Sequence, residues 1–279
     1  MQVPALSLFR LAPITLGLAL ASAVETHARP LTVIQETAPA QERLAIPATD
    51  EGLPGTGTIR RYDWFRELWM QKRAQWAADV ERDQNTVVFL GDSITQGWGP
   101  DLGHHFPGLD VANRGISGDT TRGMLLRLSG DVLALNPRAV VMLMGTNDLE
   151  EGDTPESVAG NVQGIIRRLH EHDPELPILL CKVFPSSERA RRPAEAIRRI
   201  NELLAAAVEG QKNVTLLDTW SIFANEAGNA KSEEFPDLLH PNERGYAKWA
   251  AALRPALTAV GAGCPNAVVW EGEAGPGQG

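Results

Sequence analysis

The sequence predicts an α/β fold built on a mainly parallel sheet with helices on both faces. Three observations predict it. Five short apolar runs rich in β-branched residues are each bounded by Gly, Pro, Asn or Asp: TVVFLG (86–91), VANRG (111–115), AVVMLMG (139–145), PILLCKV (177–183) and NVTLLD (213–218). They read as buried strands rather than half-exposed ones. The segments around them carry apolar residues at helical spacing, and strands that alternate with crossover helices pair in parallel. Such sheets place their ligands at the carboxyl ends of the strands.

Taken in order, residues 1–28 resemble a secretory signal. Arg10 precedes the apolar stretch LAPITLGLALASA, which ends in the small residues Ala21, Ser22 and Ala23, with a second small-residue option at Ala28. Residues 29–58 are rich in Pro, Thr, Ala and Gly and read as an extended N-terminal segment. Phe65, Leu68, Trp69, Trp76 and Val80 make a helical stripe before the first strand. Thr154 and Pro155 suit an N-cap and first turn ahead of Val158, Val162, Ile165, Ile166 and Leu169. Ile197, Ile200, Leu203, Leu204 and Ala207 repeat that spacing, as do Tyr246, Trp249, Leu253 and Leu257. The main domain is expected over 59–260 and a flexible tail over 261–279, which ends in GEAGPGQG.

Composition sets limits on function. The 279 residues are 43% hydrophobic and 22% charged, ordinary for a folded domain, and no apolar run reaches the roughly 18 residues of a membrane-spanning helix. Lys plus Arg at 26 against Asp plus Glu at 35 gives a net charge of −9, which argues against nucleic acid as a partner. Cys181 and Cys264 lack zinc-site spacing, and Cys181 reads as a buried free thiol in its apolar run. No stable membrane anchor and no cofactor is expected.

The chemistry gathers at one edge of the sheet. GDSITQGWG (91–99) follows the first strand, NRGISGDTTRG (113–123) the second and GTNDLEEG (145–152) the third, while DLLHPNERGY (237–246) precedes the last helix. These loops bring a hydroxyl, a glycine backbone, a carboxamide, and a carboxylate with an imidazole. Acyl transfer needs that inventory: a serine is a weak nucleophile until a base takes its proton, the base needs an orienting acceptor, and the oxyanion needs preorganised donors.

These four blocks resemble those of the SGNH hydrolases, also called GDSL esterases, whose name lists the Ser, Gly, Asn and His of the blocks. The likeness covers roughly residues 86–258, and GISGDTTRGMLLRL followed by GTND is similar to platelet-activating-factor acetylhydrolase-type catalytic subunits and bacterial carbohydrate esterases. The first block reads GDSI rather than GDSL, an aliphatic change. The resemblance implies a three-layer flavodoxin-like fold, strand order 2-1-3-4-5, with no metal and no cofactor. It implies Ser93 as nucleophile, Asp237 and His240 as the rest of a triad, and the Ser93 and Gly118 amides with the Asn147 carboxamide as oxyanion donors.

Other readings of these residues are available. Ser93 could cap a helix, Gly118 and Asn147 could be turn residues, and Asp92 and Asp119 are expected to brace loops by accepting backbone N–H bonds. His104 and His105 are expected in solvent, and His170 and His172 at a helix C-terminus. A Gly-x-Ser-x-Gly elbow is absent, since Ser93 lies in GDSIT and Ser117 in GISGD. The function expected is a secreted or periplasmic serine ester hydrolase removing short acyl groups, acetyl first, from a neutral or carbohydrate alcohol. The loop 219–236 and Trp98 are candidates to line its alcohol side, and Trp98 reads equally as a core tryptophan. The alternatives are a lipid or thioester acyl hydrolase and a noncatalytic ligand-binding module on the same scaffold.

Overall fold

The computed structural model describes residues 43–263. The expected leader 1–28, the first part of the 29–58 segment, Cys264 and most of the expected C-terminal tail lie outside the described residues.

The five strands are β1 (Val87–Gly91), β2 (Val111–Gly115), β3 (Ala139–Leu143), β4 (Ile178–Cys181) and β5 (Val214–Leu217), each within its predicted run. They form one all-parallel sheet in the expected order β2-β1-β3-β4-β5. The chain thus leaves β1 toward one edge and returns past it to β3, so connections diverge above the carboxyl ends of β1 and β3. That reversal is where open α/β sheets form their ligand crevice.

Strand alternation divides the core in two. Even-numbered Val88, Leu90, Val140, Met142, Ile178 and Leu180 face one side, and odd-numbered Val87, Phe89, Val141, Leu143, Leu179 and Cys181 face the other. The first face is covered by helices α4 (Thr121–Asp131), α6 (Pro155–His172) and α7 (Ala194–Val208), and the second by α2 (Ser93–Gln96) and α9 (Glu243–Ala259). Helix α6 begins as its sequence predicts, with Thr154 accepting from the Ser157 amide at 3.2 Å and Pro155 in the first turn. It buries Val158, Val162, Ile165, Ile166 and Leu169 completely. Each such side chain contributes about 1.5–3 kcal/mol through burial. The remaining helices are α1 (Asp63–Ala78), α3 (Leu102–His105), α5 (Thr146–Glu151) and α8 (Thr219–Phe223). Among the described residues no helix is long and apolar enough to cross a membrane.

Helix α4 was not among the predicted stripes. Arg122 and Arg127, polar by any pattern count, are buried on it, so its apolar period is broken. Residues 44–58 also differ from a loose tail. Trp69 Nε1 and Arg73 Nη1 donate to Leu44 O at 2.8 and 2.9 Å, the Thr56 backbone exchanges two bonds with the Asn161 carboxamide at 3.0 and 2.8 Å, and Thr58 N donates to Asp153 Oδ2 at 2.8 Å. The segment has no strand of its own. Its backbone groups are satisfied by side chains of the domain, a form of anchoring without periodicity in sequence. Ile46 and Ile59 complete a third apolar cluster with Phe65, Trp69, Trp76 and Ile116.

Candidate active site

Gly91 ends β1 and Asp92 caps the short helix α2, its Oδ1 accepting from the Ile94 amide at 2.9 Å. Ser93 is therefore the first residue of α2, lifted off the sheet edge. Its Oγ lies 2.9 Å from His240 Nε2, and His240 Nδ1 lies 2.7 Å from Asp237 Oδ2. The Asp237 carboxylate also builds its own turn: Oδ1 accepts from the Leu239 and His240 amides at 3.0 and 2.7 Å. That turn explains the three-residue spacing, because one carboxylate shapes the loop and orients the ring. Partial burial works to raise the Asp237 carboxyl, but the bonds from the His240 ring and the two amides overcome it and hold it below the ordinary range. Leu238 takes φ 61° in this turn, and its carbonyl accepts from Ser186 Oγ at 2.9 Å.

The loop after β2 approaches from the other side. A Cβ at Gly115 would meet Gln96 N at 2.2 Å, so only glycine lets the end of β2 pass this close to α2. Gln96 Oε1 then accepts from the Ser117 amide at 2.8 Å. A turn closed by Asp119 N donating to Ile116 O at 3.0 Å puts Gly118 at φ +87°, the left-handed region that favours glycine. Asn147 Nδ2 donates to Asp119 O at 2.9 Å, which ties the loop after β3 to the loop after β2. Ser93, His240 and Asp237, predicted from two separate blocks, are thus hydrogen-bonded in line, and the loops that carry Gly118 and Asn147 are tied to each other at Asp119 and to α2 at Gln96.

Sequence reasoning missed the charged network behind Asn147. The buried Arg192 donates to Asn147 Oδ1 at 3.1 Å, to Thr146 O at 3.0 Å and to Glu150 Oε2 at 2.8 Å. Glu150 also pairs with Arg60, which pairs in turn with Glu151 at 2.5 Å. Burial would raise the Glu150 carboxyl, yet the two guanidiniums hold it below its ordinary range. A Cβ added at Gly118 would come 2.9 Å from Arg60 Nη1 and 2.7 Å from Trp64 Cη2, so Arg60 just before α1 and Trp64 in its first turn form part of the wall. Arg60 and Arg192 lie outside the four blocks, and Glu150, inside GTNDLEEG, gives no sign in sequence of these partners.

The structure decides between the two readings of Trp98 and adds to that of Asp119. Trp98 does not line the site: it is 3% exposed and packs with Phe106, Tyr246 and Trp249 at centroid distances of 5.8, 4.6 and 5.1 Å. Asp119 does more than brace a loop, because its Oδ2 accepts from the buried Arg127 Nε at 2.7 Å. The loop 219–236 supplies much of the wall of a surface cavity of about 720 Å³, shared with Ser187, Leu238, Arg244 and Lys248. His104 is exposed and lies 3.4 Å from Asp101, His105 packs edge-on against Trp98, and His170 and His172 end α6. Cys181 is free and buried, its thiol pushed up to about 12 by desolvation. Among the described residues no group of three His, Cys, Asp or Glu side chains is arranged to hold a metal ion.

A hydroxyl, an imidazole and a carboxylate in this order can pass the serine proton to the ring and stabilise the resulting cation. Comparison with known proteins agrees with such chemistry. The profile of the GDSL-like Lipase/Acylhydrolase family matches residues 89–248. Platelet-activating factor acetylhydrolase IB subunit alpha1 of Bos taurus is 31% identical over 197 residues, spanning 68% of this chain and 82% of that protein. A GDSL-like lipase from Bacteroides thetaiotaomicron aligns with a TM-score of 0.59 and 25% identity, covering 69% of this chain and 97% of that one. A carbohydrate esterase family 3 protein from Talaromyces cellulolyticus shares the fold at a TM-score of 0.50 and 20% identity, over 62% of this chain and 96% of that one. The chain belongs to the GDSL-like lipase/acylhydrolase family and is an ester hydrolase.

Proposed function

We propose that the enzyme removes short acyl groups, acetyl first, from a neutral or carbohydrate alcohol through an acyl-serine intermediate. The observation that carries the mechanism is the continuous hydrogen-bonded path Ser93 Oγ, His240 Nε2, His240 Nδ1, Asp237 Oδ2, at 2.9 and 2.7 Å. His240 takes the Ser93 proton as Oγ attacks the ester carbonyl, and Asp237 stabilises the imidazolium. The Ser93 and Gly118 amides with Asn147 Nδ2 receive the oxyanion. Collapse expels the alcohol, which leaves with the proton held by His240, and water then attacks the acyl-serine with the same ring as base.

The acyl preference is supported by the name of the bovine acetylhydrolase and by the polar groups around the crevice, Arg60, Glu150 and Arg192. The alcohol preference is supported by the net charge of −9, which disfavours anionic polymers, and by the fold shared with a carbohydrate esterase. Residues 1–28 are proposed to direct export, so the enzyme would act outside the cytoplasm.

A fluorophosphonate probe followed by peptide mapping tests the nucleophile: stoichiometric labelling of Ser93 is expected, and labelling elsewhere with Ser93 untouched overturns it. Acetate release from acetylated polysaccharides, measured beside simple esters, tests the substrate class. A polysaccharide rate no better than that of simple esters removes the carbohydrate reading.

A further inference from the structure

Tyr62 and Trp64 are the exposed large hydrophobic residues of the described domain, 52% and 50% accessible. Their rings are nearly parallel, 13° apart with centroids at 6.3 Å. The buried Phe65 meets the Trp64 ring edge-on at 5.6 Å and fixes its attitude. Trp64 Cη2 fills the space that a Cβ at Gly118 would need, and Tyr62 Oη donates to Glu151 Oε2 at 3.2 Å. Nothing in the proposed reaction uses either ring.

We propose that Trp64 and Tyr62 form a stacking subsite for a pyranose ring on the alcohol side of the ester. The inference rests on the reading of Gly118 as an oxyanion donor, because a surface that touches Gly118 then lies within reach of groups bonded to the reacting carbonyl. A sugar ring presents a flat C–H face with hydroxyls around its rim. The outward face of the Tyr62–Trp64 stack, about half of each side chain being accessible, matches the first, and Tyr62 Oη, Glu150 and Glu151 match the second. A long acyl chain would need enclosing apolar walls, whereas this platform is open and bordered by the charges of Arg60, Glu150 and Glu151.

The test uses the full chain, with acetylated methyl glucoside as the sugar ester and vinyl acetate and vinyl butyrate as ringless esters. In Trp64→Ala the ratio of kcat/KM for the sugar ester to that for vinyl acetate is expected to fall about three- to tenfold, the worth of one aromatic contact. Trp64→Phe is expected to recover most of the ratio, and methyl glucoside should inhibit vinyl acetate hydrolysis more weakly in Trp64→Ala than in the wild type. Thermal melts establish that each variant is folded. A wild type that prefers the sugar ester, with the ratio unchanged in Trp64→Ala, overturns the subsite and leaves the carbohydrate reading standing. A wild type with no preference for the sugar ester overturns both. A selective loss on vinyl butyrate in Trp64→Ala assigns the rings to the acyl chain and overturns the subsite.

Discussion

Arg192 Nη2 donates to Asn147 Oδ1 at 3.1 Å while Asn147 Nδ2 donates to Asp119 O at 2.9 Å, so both ends of the carboxamide are held. An amide nitrogen carries two hydrogens, and this clamp commits one of them and aims the other. In the proposed mechanism that second hydrogen meets the oxyanion. Asn147→Ala is then expected to lower kcat by about 10²- to 10³-fold with little change in melting temperature. Arg192→Met should lower kcat by roughly tenfold, as expected when a donor keeps its place but loses its aim. The double variant should be no slower than Asn147→Ala alone, because Arg192 works through Asn147. Losses that multiply would show Arg192 acting elsewhere. Arg192→Lys should not rescue, since one ammonium cannot reach the four acceptors that the guanidinium spans.

The serine, ring and carboxylate should behave as one unit. Ser93→Ala is expected to lower kcat by at least ~10³-fold, His240→Ala by nearly as much, and the pair together by no more than the worse single change. Asp237→Ala should lose less, because the carboxylate is about half exposed and water can take up part of its role. Steady-state kinetics with a chromogenic acetate ester check all four variants, and a double variant far below either single one would separate Ser93 from His240.

The strands and the five residues of the crevice were legible because each has a local signal. Apolar runs mark the strands, and Ser93, Gly118, Asn147, Asp237 and His240 sit in short blocks whose spacing follows from turn geometry, as the Asp237 turn demonstrates. Arg60 and Arg192 lie in no such block, and Glu150, though inside GTNDLEEG, shows nothing there of its partners. Their meaning lies in contacts across 42 to 90 positions, and a buried arginine looks in sequence like a surface one. Trp98 was ambiguous for the opposite reason: its place beside Ser93 in the block suggested the site and its bulk the core, and helix α2 turns that part of the chain back into the core beneath α9.

Stability should fall as pH rises from about 4 to 7. Burial pushes Asp92 and Asp119 up to about 6 and Asp148 up to about 7, from an ordinary value of 3.8. A carboxyl with a raised folded-state value binds its proton more tightly when folded. Its contribution is full below the unfolded value and is lost as pH rises through the folded one. Asp237, Glu150, Asp50 and Asp218 are shifted downward and act in the opposite sense, at lower pH. Asp148 accepts from the Thr121 amide at 3.1 Å and its hydroxyl at 2.5 Å, and Asn keeps an acceptor there without the titration. Asp148→Asn should therefore shrink the fall in melting temperature between about pH 5 and pH 7.5. An equally steep fall in the variant would mean that Asp148 is not the group responsible.

Acyl length decides between a deacetylase and a lipase-like enzyme. Arg60, Glu150 and Arg192 lie behind Gly118 and Asn147, held to one another by ion pairs, so a long chain directed there would lie against charges already committed to partners. The 720 Å³ cavity near Leu238 is bordered by Lys231, Glu233, Glu234, Arg244 and Lys248 beside Ala230 and Leu238, so an apolar chain lying in it would meet charged groups as well. An enclosing apolar pocket gives about 0.8 kcal/mol per methylene, or roughly a fourfold gain in kcat/KM for each carbon added. Against the Arg60–Glu150–Arg192 chain no such gain is expected, and extra carbons would have to leave the crevice or displace those groups. For one alcohol esterified with two to ten carbons, kcat/KM is thus expected to be highest at acetyl and to decline with length. A steady rise of about fourfold per methylene would remove the deacetylase reading and require an apolar channel that opens on substrate binding.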